Sequence, residues 1–259
     1  MPGMNKSSTD RHTKGHATLL LITTSLLAAT SSLANWHTIG SLATGFAISS
    51  DAGQSKTFPI INPVTDEFFV YSANHSTQTA GVIDAFVGGE WTLSPQFALQ
   101  AGLGYNQAWN LHAKGSLLQG TDLPSADRWT WHYNILTRQL LAEGKLLYHY
   151  TNCYHPYVLF GLGAAFNQAS DYNTNVPPFL TFTRQYNNNN AQTSFTYALG
   201  VGIDMDIQKH LRLGVGYRFA DAGQVMLGHA TIDTTSVSGT LSQSHFYINE
   251  ILAQITYVS

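Results

Sequence analysis

A single cysteine, Cys153, stands among 259 residues, so no internal disulfide can form and the fold must be stable without one. Charge is also scarce. Only 10% of residues are Asp, Glu, Lys or Arg and the formal net charge is −3, which argues against nucleic acid as a partner. Beyond residue 34, polar residues or glycine interrupt every apolar run, and none approaches the ~20 residues that a spanning helix needs. If this part of the chain meets a bilayer, it must do so as a closed sheet, the other architecture that satisfies all backbone groups in hydrocarbon. A mean hydropathy of −0.07 suits strands that average greasy and polar positions.

The N-terminus carries Lys6, Arg11 and Lys14, then an apolar run from Ala17 to Ala29, then Ser32-Leu33-Ala34. A positive segment, a short greasy core and small residues at the −3 and −1 positions describe a secretory signal peptide. Cleavage is expected after Ala34, which divides the chain into a signal peptide, 1–34, and a barrel domain, 35–259. The run is too short for an inner-membrane anchor, and Asn35 in place of cysteine argues against a lipid anchor.

What the remainder has is alternation. From Val82 to Leu93, Ile83, Ala85, Val87, Trp91 and Leu93 share one parity while Asp84 and Glu90 take the other; Leu211 to Phe219 repeats the pattern around Arg212 and Arg218. Side chains of a strand point to opposite faces with period two. Each strand therefore has a greasy wall and a polar wall, and a membrane barrel turns the greasy one to lipid. The pattern predicts eight strands, near 39–49, 81–93, 97–106, 133–148, 157–166, 193–206, 211–220 and 245–258. Three connections are short, and they alternate with long polar ones at 50–80, 107–132, 167–192 and 221–244. The fold class expected is all-β: an eight-stranded antiparallel up-and-down transmembrane barrel with short periplasmic turns and long extracellular loops. The run Tyr186 to Asn190 reads as solvated loop.

In this register Asp84, Glu90, Glu143, Lys145, Asp204, Arg212, Arg218 and Glu250 face the lumen. Eight strands enclose a space that side chains fill, so these charges are expected to pair as a structural network. Gly102, Gly104, Gly161, Gly163, Gly200, Gly202, Gly214 and Gly216 face inward and leave room for them. Outward aromatic residues fall at the strand ends, Trp91, Phe97, Tyr148 and Tyr257 near the short turns and Tyr105, Phe166, Phe195, Tyr217, Phe219 and Tyr247 near the long loops. Two such belts match interfacial girdles. Arg138 counts as outward and breaks the rule, at a height where a long cation reaches headgroups.

Little points to chemistry. No Gly-x-Gly pair continues as GxGxxG opening a helix. His149, Cys153 and His155 form a poor cage for zinc or copper, with no fourth ligand evident. Ser244 and His245 would need an acid, and Glu250 lies five residues along the strand, too far to orient the imidazole. His112, His132 and His229 have no identifiable partner. No catalytic residue, metal or cofactor is expected, and the chain is read as a non-enzyme.

Leu93-Ser94-Pro95-Gln96-Phe97-Ala98-Leu99, Gly102-Leu103-Gly104-Tyr105, Pro156-Tyr157-Val158, Gly161-Leu162-Gly163 and Gly214-Val215-Gly216-Tyr217-Arg218-Phe219 resemble the strand and turn phrases of small eight-stranded outer-membrane barrels. These are the opacity-protein and OmpA-transmembrane-domain type, or porin family. The resemblance spans about residues 36–258. It implies a monomer in the outer membrane of a Gram-negative bacterium, exported by the Sec route, inserted by the barrel-assembly machinery and surrounded by bilayer lipid and lipopolysaccharide. It implies a structural or adhesin-like role, with host or cell-surface contact through the loops. Rival readings are a small ion-conducting pore, a lipid-modifying enzyme and a soluble lipocalin-like binder whose greasy faces line a cavity.

Overall fold

The structure, a computed structural model, describes residues 36–49, 53, 55–59, 66–75, 77–151, 153–177, 183–187 and 190–259. The expected signal peptide lies outside them. No helix among the described residues is long and apolar enough to cross a membrane. The long strands are β1 (Trp36–Ser49), β2 (Gln78–Ser94), β3 (Phe97–Gly120), β4 (Asp127–Tyr148), β5 (Tyr154–Thr174), β6 (Asn190–Gln208), β7 (Leu211–Asp221) and β8 (Tyr247–Val258). Each pairs antiparallel with its neighbours in the chain. β1 then pairs with β8, from Ile39↔Val258 to Ile48↔Asn249, and the ring closes without an edge. Tight turns join strands at one end: Ser94 Oγ, for example, accepts the backbone N–H of Gln96 at 3.3 Å and of Phe97 at 3.2 Å, a local bond that holds the reversal.

Through the lower part of the ring the greasy parity looks outward. Leu103 is 57% exposed and Val215 58%, and Phe160 and Val201 are exposed likewise, whereas Glu90 is 5% and Arg218 3% exposed. A soluble monomer rarely shows apolar patches beyond a few hundred Å²; a continuous wall of this kind is stable against hydrocarbon. The lipocalin-like alternative, which needs the greasy faces inside, is excluded by that orientation.

Toward the loop end the sense of the pattern reverses. On β3 the inward residues are Ala98, Gln100, Gly104, Asn106 and Ala108, then Leu111, Ala113 and Leu117. The change of parity occurs at Asn110, whose φ is +62°, where the β3–β4 register shifts between Ala108 and Leu111. A second shift lies between His132 and Asn134 on β4, opposite Asp171 of β5 with φ +55°, and above it Tyr172 and Thr174 point inward. Such bulges insert one unpaired residue, and Asn and Asp tolerate the left-handed conformation better than other side chains. β4 keeps its parity but exchanges its chemistry. Inward Lys145, Glu143 and Gln139 give way to Ile135, Tyr133 and Trp131, and outward Leu146 and Leu140 give way to Arg138, Asn134 and His132. Arg138 therefore does not break the alternation; it marks the height at which the exterior turns polar.

Two expectations about the long connections need correction. They are not connections throughout: much of 107–132 and 167–174 is strand, so β3, β4 and β5 run past the spans the alternation predicted. Nor are they polar throughout. The segment Phe68–Ala73 takes the place of β2 beside β3, from Phe68↔Gly120 to Ala73↔Gly115, and Lys56–Phe58 pairs on its far side. Ala230–Ile232 sits between Arg184–Tyr186 and Thr235–Val237, and Val225–Met226 pairs with Ser242–Gln243. Together they bury Phe58, Phe69, Tyr71, Leu117, Trp131, Tyr133, Tyr186, Leu227, Leu241 and Phe246 in one cluster. Tyr186, expected in a solvated loop, is a buried member of it; Asn188 and Asn189 lie outside the described residues.

Candidate functional site

The eight charged residues assigned to the lumen lie inside the ring, and its geometry sorts them into two groups. At the turn end, pairing of β6 with β7 sets Arg212 opposite Asp206, and pairing of β2 with β3 sets Glu90 opposite Gln100. Arg212 Nε donates to Asp206 Oδ1 at 2.8 Å, while both terminal nitrogens of Arg212 reach Glu90, Nη2 to Oε1 at 3.1 Å. Gln100 Nε2 donates to Glu90 Oε2 at 2.7 Å. Such a bidentate fork is the strongest kind of ion pair. His155 Nε2 lies 2.9 Å from Asp206 Oδ2, and its Nδ1 lies 2.8 Å from Nδ1 of His149. Burial, and after it the neighbouring His155, lowers the His149 pKa; the nitrogen–nitrogen bond needs one donor and one acceptor, which a neutral ring supplies. Of the three residues that sequence grouped, His149 and the buried His155 meet, whereas Cys153 is exposed, and no group of three His, Cys, Asp or Glu is placed to hold a metal among the described residues.

Higher in the lumen, Arg218 Nη1 meets Glu250 Oε2 at 2.9 Å and Arg218 Nη2 meets Gln139 Oε1 at 3.1 Å. Asn106 Nδ2 bridges Glu250, at 3.0 Å, and Asp84, at 3.2 Å. Lys145 Nζ lies 3.8 Å from Asp204 Oδ2, 3.4 Å from Gln254 Oε1 and 4.2 Å from the Tyr157 ring centre. Glycines make this crowding feasible: a Cβ at Gly104 would overlap the Glu143 carboxylate, and one at Gly202 or Gly216 the Tyr157 hydroxyl.

Over this polar interior sits the apolar cap, and Arg184 ties it together. Its guanidinium lies 3.8 Å from the Phe58 ring centre and donates to the carbonyls of Ser238, at 2.7 Å, and Gly239, at 2.8 Å. One buried cation therefore joins three of the four long connections. Lys56 Nζ adds a bond to Thr240 O at 2.8 Å, and the Tyr71 and Tyr172 hydroxyls meet at 3.2 Å. Burial, with Tyr172 and Tyr186 close by, pushes the Tyr71 phenol well above its usual pKa, which keeps that hydroxyl protonated. Replacing Arg184 by Ala is expected to remove about 2 kcal/mol or more of local stability. Limited proteolysis should then cut the long connections faster, in proportion to local opening, and unchanged cutting would show that Arg184 holds nothing.

At the loop-end rim, His245 Nδ1 lies 2.7 Å from Asp221 Oδ2, and the buried Asp221 also accepts Gly223 N–H at 2.9 Å. The acid that orients His245 is thus Asp221 of β7, not Glu250. His112 also has a partner, Asn134 Oδ1 at 2.8 Å. The ten outward aromatic residues all lie on the exterior parity. Phe97 and Tyr148 touch at the turn end, with ring centres 5.3 Å apart, and Phe219 stacks on Tyr247 at 5.7 Å toward the loop end.

A family model described as an outer membrane protein beta-barrel domain matches residues 17–243. No curated protein matches the chain. Among solved structures, the chain is similar to the outer membrane protein OprG of Pseudomonas aeruginosa, with a TM-score of 0.47 and 12% identity over 85% of this chain and 95% of that one. It is also similar to Neisserial surface protein A, at 0.40 and 9% over 86% and 98%, and to the outer membrane protease OmpT of Escherichia coli, at 0.43 and 11% over 88% and 98%.

Proposed function

The chain belongs to the outer membrane protein beta-barrel family, and on that footing we propose that it is a closed, non-catalytic barrel whose working surface is the cap formed by its long connections. The observation that carries this reading is the stacking of two fillings in one bore. Ion pairs occupy the part surrounded by the greasy wall, and a folded apolar cluster closes the end above it. Both fillings, as far as the described residues go, oppose the continuous aqueous path that a conducting pore needs, which supports the closed reading. A cap with its own core presents a fixed surface, the form suited to holding a structural or host-cell partner.

The wall faces bilayer lipid, with lipopolysaccharide against the half nearest the cap, and the outward aromatic residues form two interfacial belts. Insertion by the barrel-assembly machinery as a monomer fits a ring without a free edge. Planar-bilayer recording of the purified chain is the test. Silent membranes are expected, and steady unitary channels would replace this reading by the pore. For the surface role, bacteria producing the chain should attach to cultured host cells better than bacteria without it, and should lose that gain when Arg184→Ala loosens the cap. Equal attachment with and without the chain would end the adhesive part of the reading.

A further inference from the structure

Above the greasy wall, positive charge on the outside of this barrel is confined, among the described residues, to one hairpin. Beyond residue 34, Lys145, Arg212 and Arg218 lie in the lumen, and Lys56 and Arg184 are tied into the cap. Lys209 stands in the turn between β6 and β7, at the opposite end. The other Lys and Arg of this part, Lys114, Arg128 and Arg138, are all exposed on the outward parity of β3 and β4. Register arranges them as a ladder. Arg138 faces Gln107 where the wall ends, Lys114 faces His132 above it, and Arg128 faces Leu118 higher still. The rungs lie about 20 Å and then about 14 Å apart along an untilted strand.

These cations have no anionic partner in the protein. Among the described residues no carboxylate comes within 4.0 Å of any of the three. Arg138 Nε donates to Gln107 Oε1 at 3.4 Å, and Gln107 also accepts the Tyr105 hydroxyl at 2.7 Å. The guanidinium is thus steadied just above an aromatic residue of the girdle, while its terminal nitrogens donate to no described residue. Neighbouring acids are turned elsewhere. Asp171 of β5 accepts Asn134 Nδ2 at 2.9 Å and Ser170 Oγ at 3.0 Å, and Asp127, next to Arg128, falls on the inward parity.

Below Arg138 the outer wall is grooved. Leu42, Ala85, Val87, Leu103, Tyr105 and Leu140 line a hollow of about 560 Å³, within the range of ligand sites. Tyr105 pairs with Leu140 in this lining, two residues below the pair of Gln107 and Arg138. Cations that rise from an apolar groove fit a lipid whose anionic groups stand over its acyl chains. The phosphate of a phospholipid occupies one level, whereas this ladder climbs through three.

We propose that the β3–β4 face is a binding site for lipopolysaccharide, with an acyl chain in the groove and a phosphate of the lipid A base on Arg138. Lys114, His132 and Arg128 take the anionic groups of the sugar column above. The planar fork of arginine suits phosphate, which places it at the rung nearest the hydrocarbon. This inference rests on the outward wall facing an outer-membrane bilayer, and it names the lipid that the wall selects there.

In the test, the purified full chain is refolded in zwitterionic detergent, captured on a sensor surface and exposed to lipopolysaccharide. Lipopolysaccharide stripped of phosphate, its deacylated saccharide and phosphatidylglycerol are the comparisons, and each should bind more weakly. The double variant Lys114→Gln/Arg138→Gln should lose roughly 10–30-fold in affinity for lipopolysaccharide, whereas Lys209→Gln should lose nothing. The proposal is overturned if the unaltered chain does not bind lipopolysaccharide, if the double variant binds it undiminished, or if any of the three comparison ligands binds as well. Should the double variant not refold, the comparison of ligands on the unaltered chain decides alone. Steady channels in planar bilayers would end the closed-barrel reading and leave this result as it stands.

Discussion

Val215→Lys is expected to destabilise the barrel by about 2–4 kcal/mol, the range for a lysine on the lipid face near the bilayer midplane. Val215 sits halfway along β7, directly opposite Ala253 of β8 and Ile203 of β6, and 58% of it is exposed on the outer wall. The same change in a water-exposed strand would do little, because surface substitutions usually stay within about 0.5 kcal/mol. Leu123→Lys, at the exposed tip between β3 and β4, is the matched control. Urea titration in lipid vesicles, read by the gel mobility of the folded band, measures both. A Val215 effect no larger than the Leu123 effect would mean that the greasy wall does not face hydrocarbon.

Removing the Arg218 side chain is expected to have a still larger effect. Arg218→Met should cost about 3–5 kcal/mol, the usual penalty for stranding the partner of a buried ion pair. The loss leaves Glu250 without its 2.9 Å contact and takes from Gln139 Oε1 its 3.1 Å donor, with only the Thr196 hydroxyl remaining at 3.3 Å. It also removes the guanidinium that lies 4.0 Å from Glu143. If the cost is that of an orphaned carboxylate, the double variant Arg218→Met/Glu250→Leu should regain most of it, since a buried pair replaced by apolar residues is often neutral. A double variant as unstable as the single would place the cost in lost packing instead.

The ring itself was readable because two-residue alternation is local: each of β2, β3 and β7 displays its greasy flank within ten residues. The direction in which β3 continues was hidden by a single residue. Asn110 adds one position, so Leu111, Ala113 and Leu117 count in phase with the outward Leu99 and Leu103 although they point inward. An Asn or Asp interrupting a strand-like run, as at 110 and 171, is the signal that would have found both bulges. The lumen charges followed from parity, but their partners did not. Arg212 and Glu90 are 122 residues apart, and the stagger of the whole ring brings them together. Arg184 against Phe58, and Asp221 against His245, depend in the same way on contacts between connections that no local pattern encodes.

The reversal at Asn110 and Asp171 also fixes how deep the protein sits. β3, β4 and β5 are each written for two solvents, oil toward the turns and water toward the loops, with the changeover beside the bulges at Asn110 and Asp171. Sinking by one pair of residues, about 6.8 Å along an untilted strand, would drag Arg138 and Asn134 into acyl chains. Rising equally far would lift Leu103 and Leu140 toward the aqueous side. Vertical drift is opposed in both directions, so the cap is held at a constant distance from the cell surface.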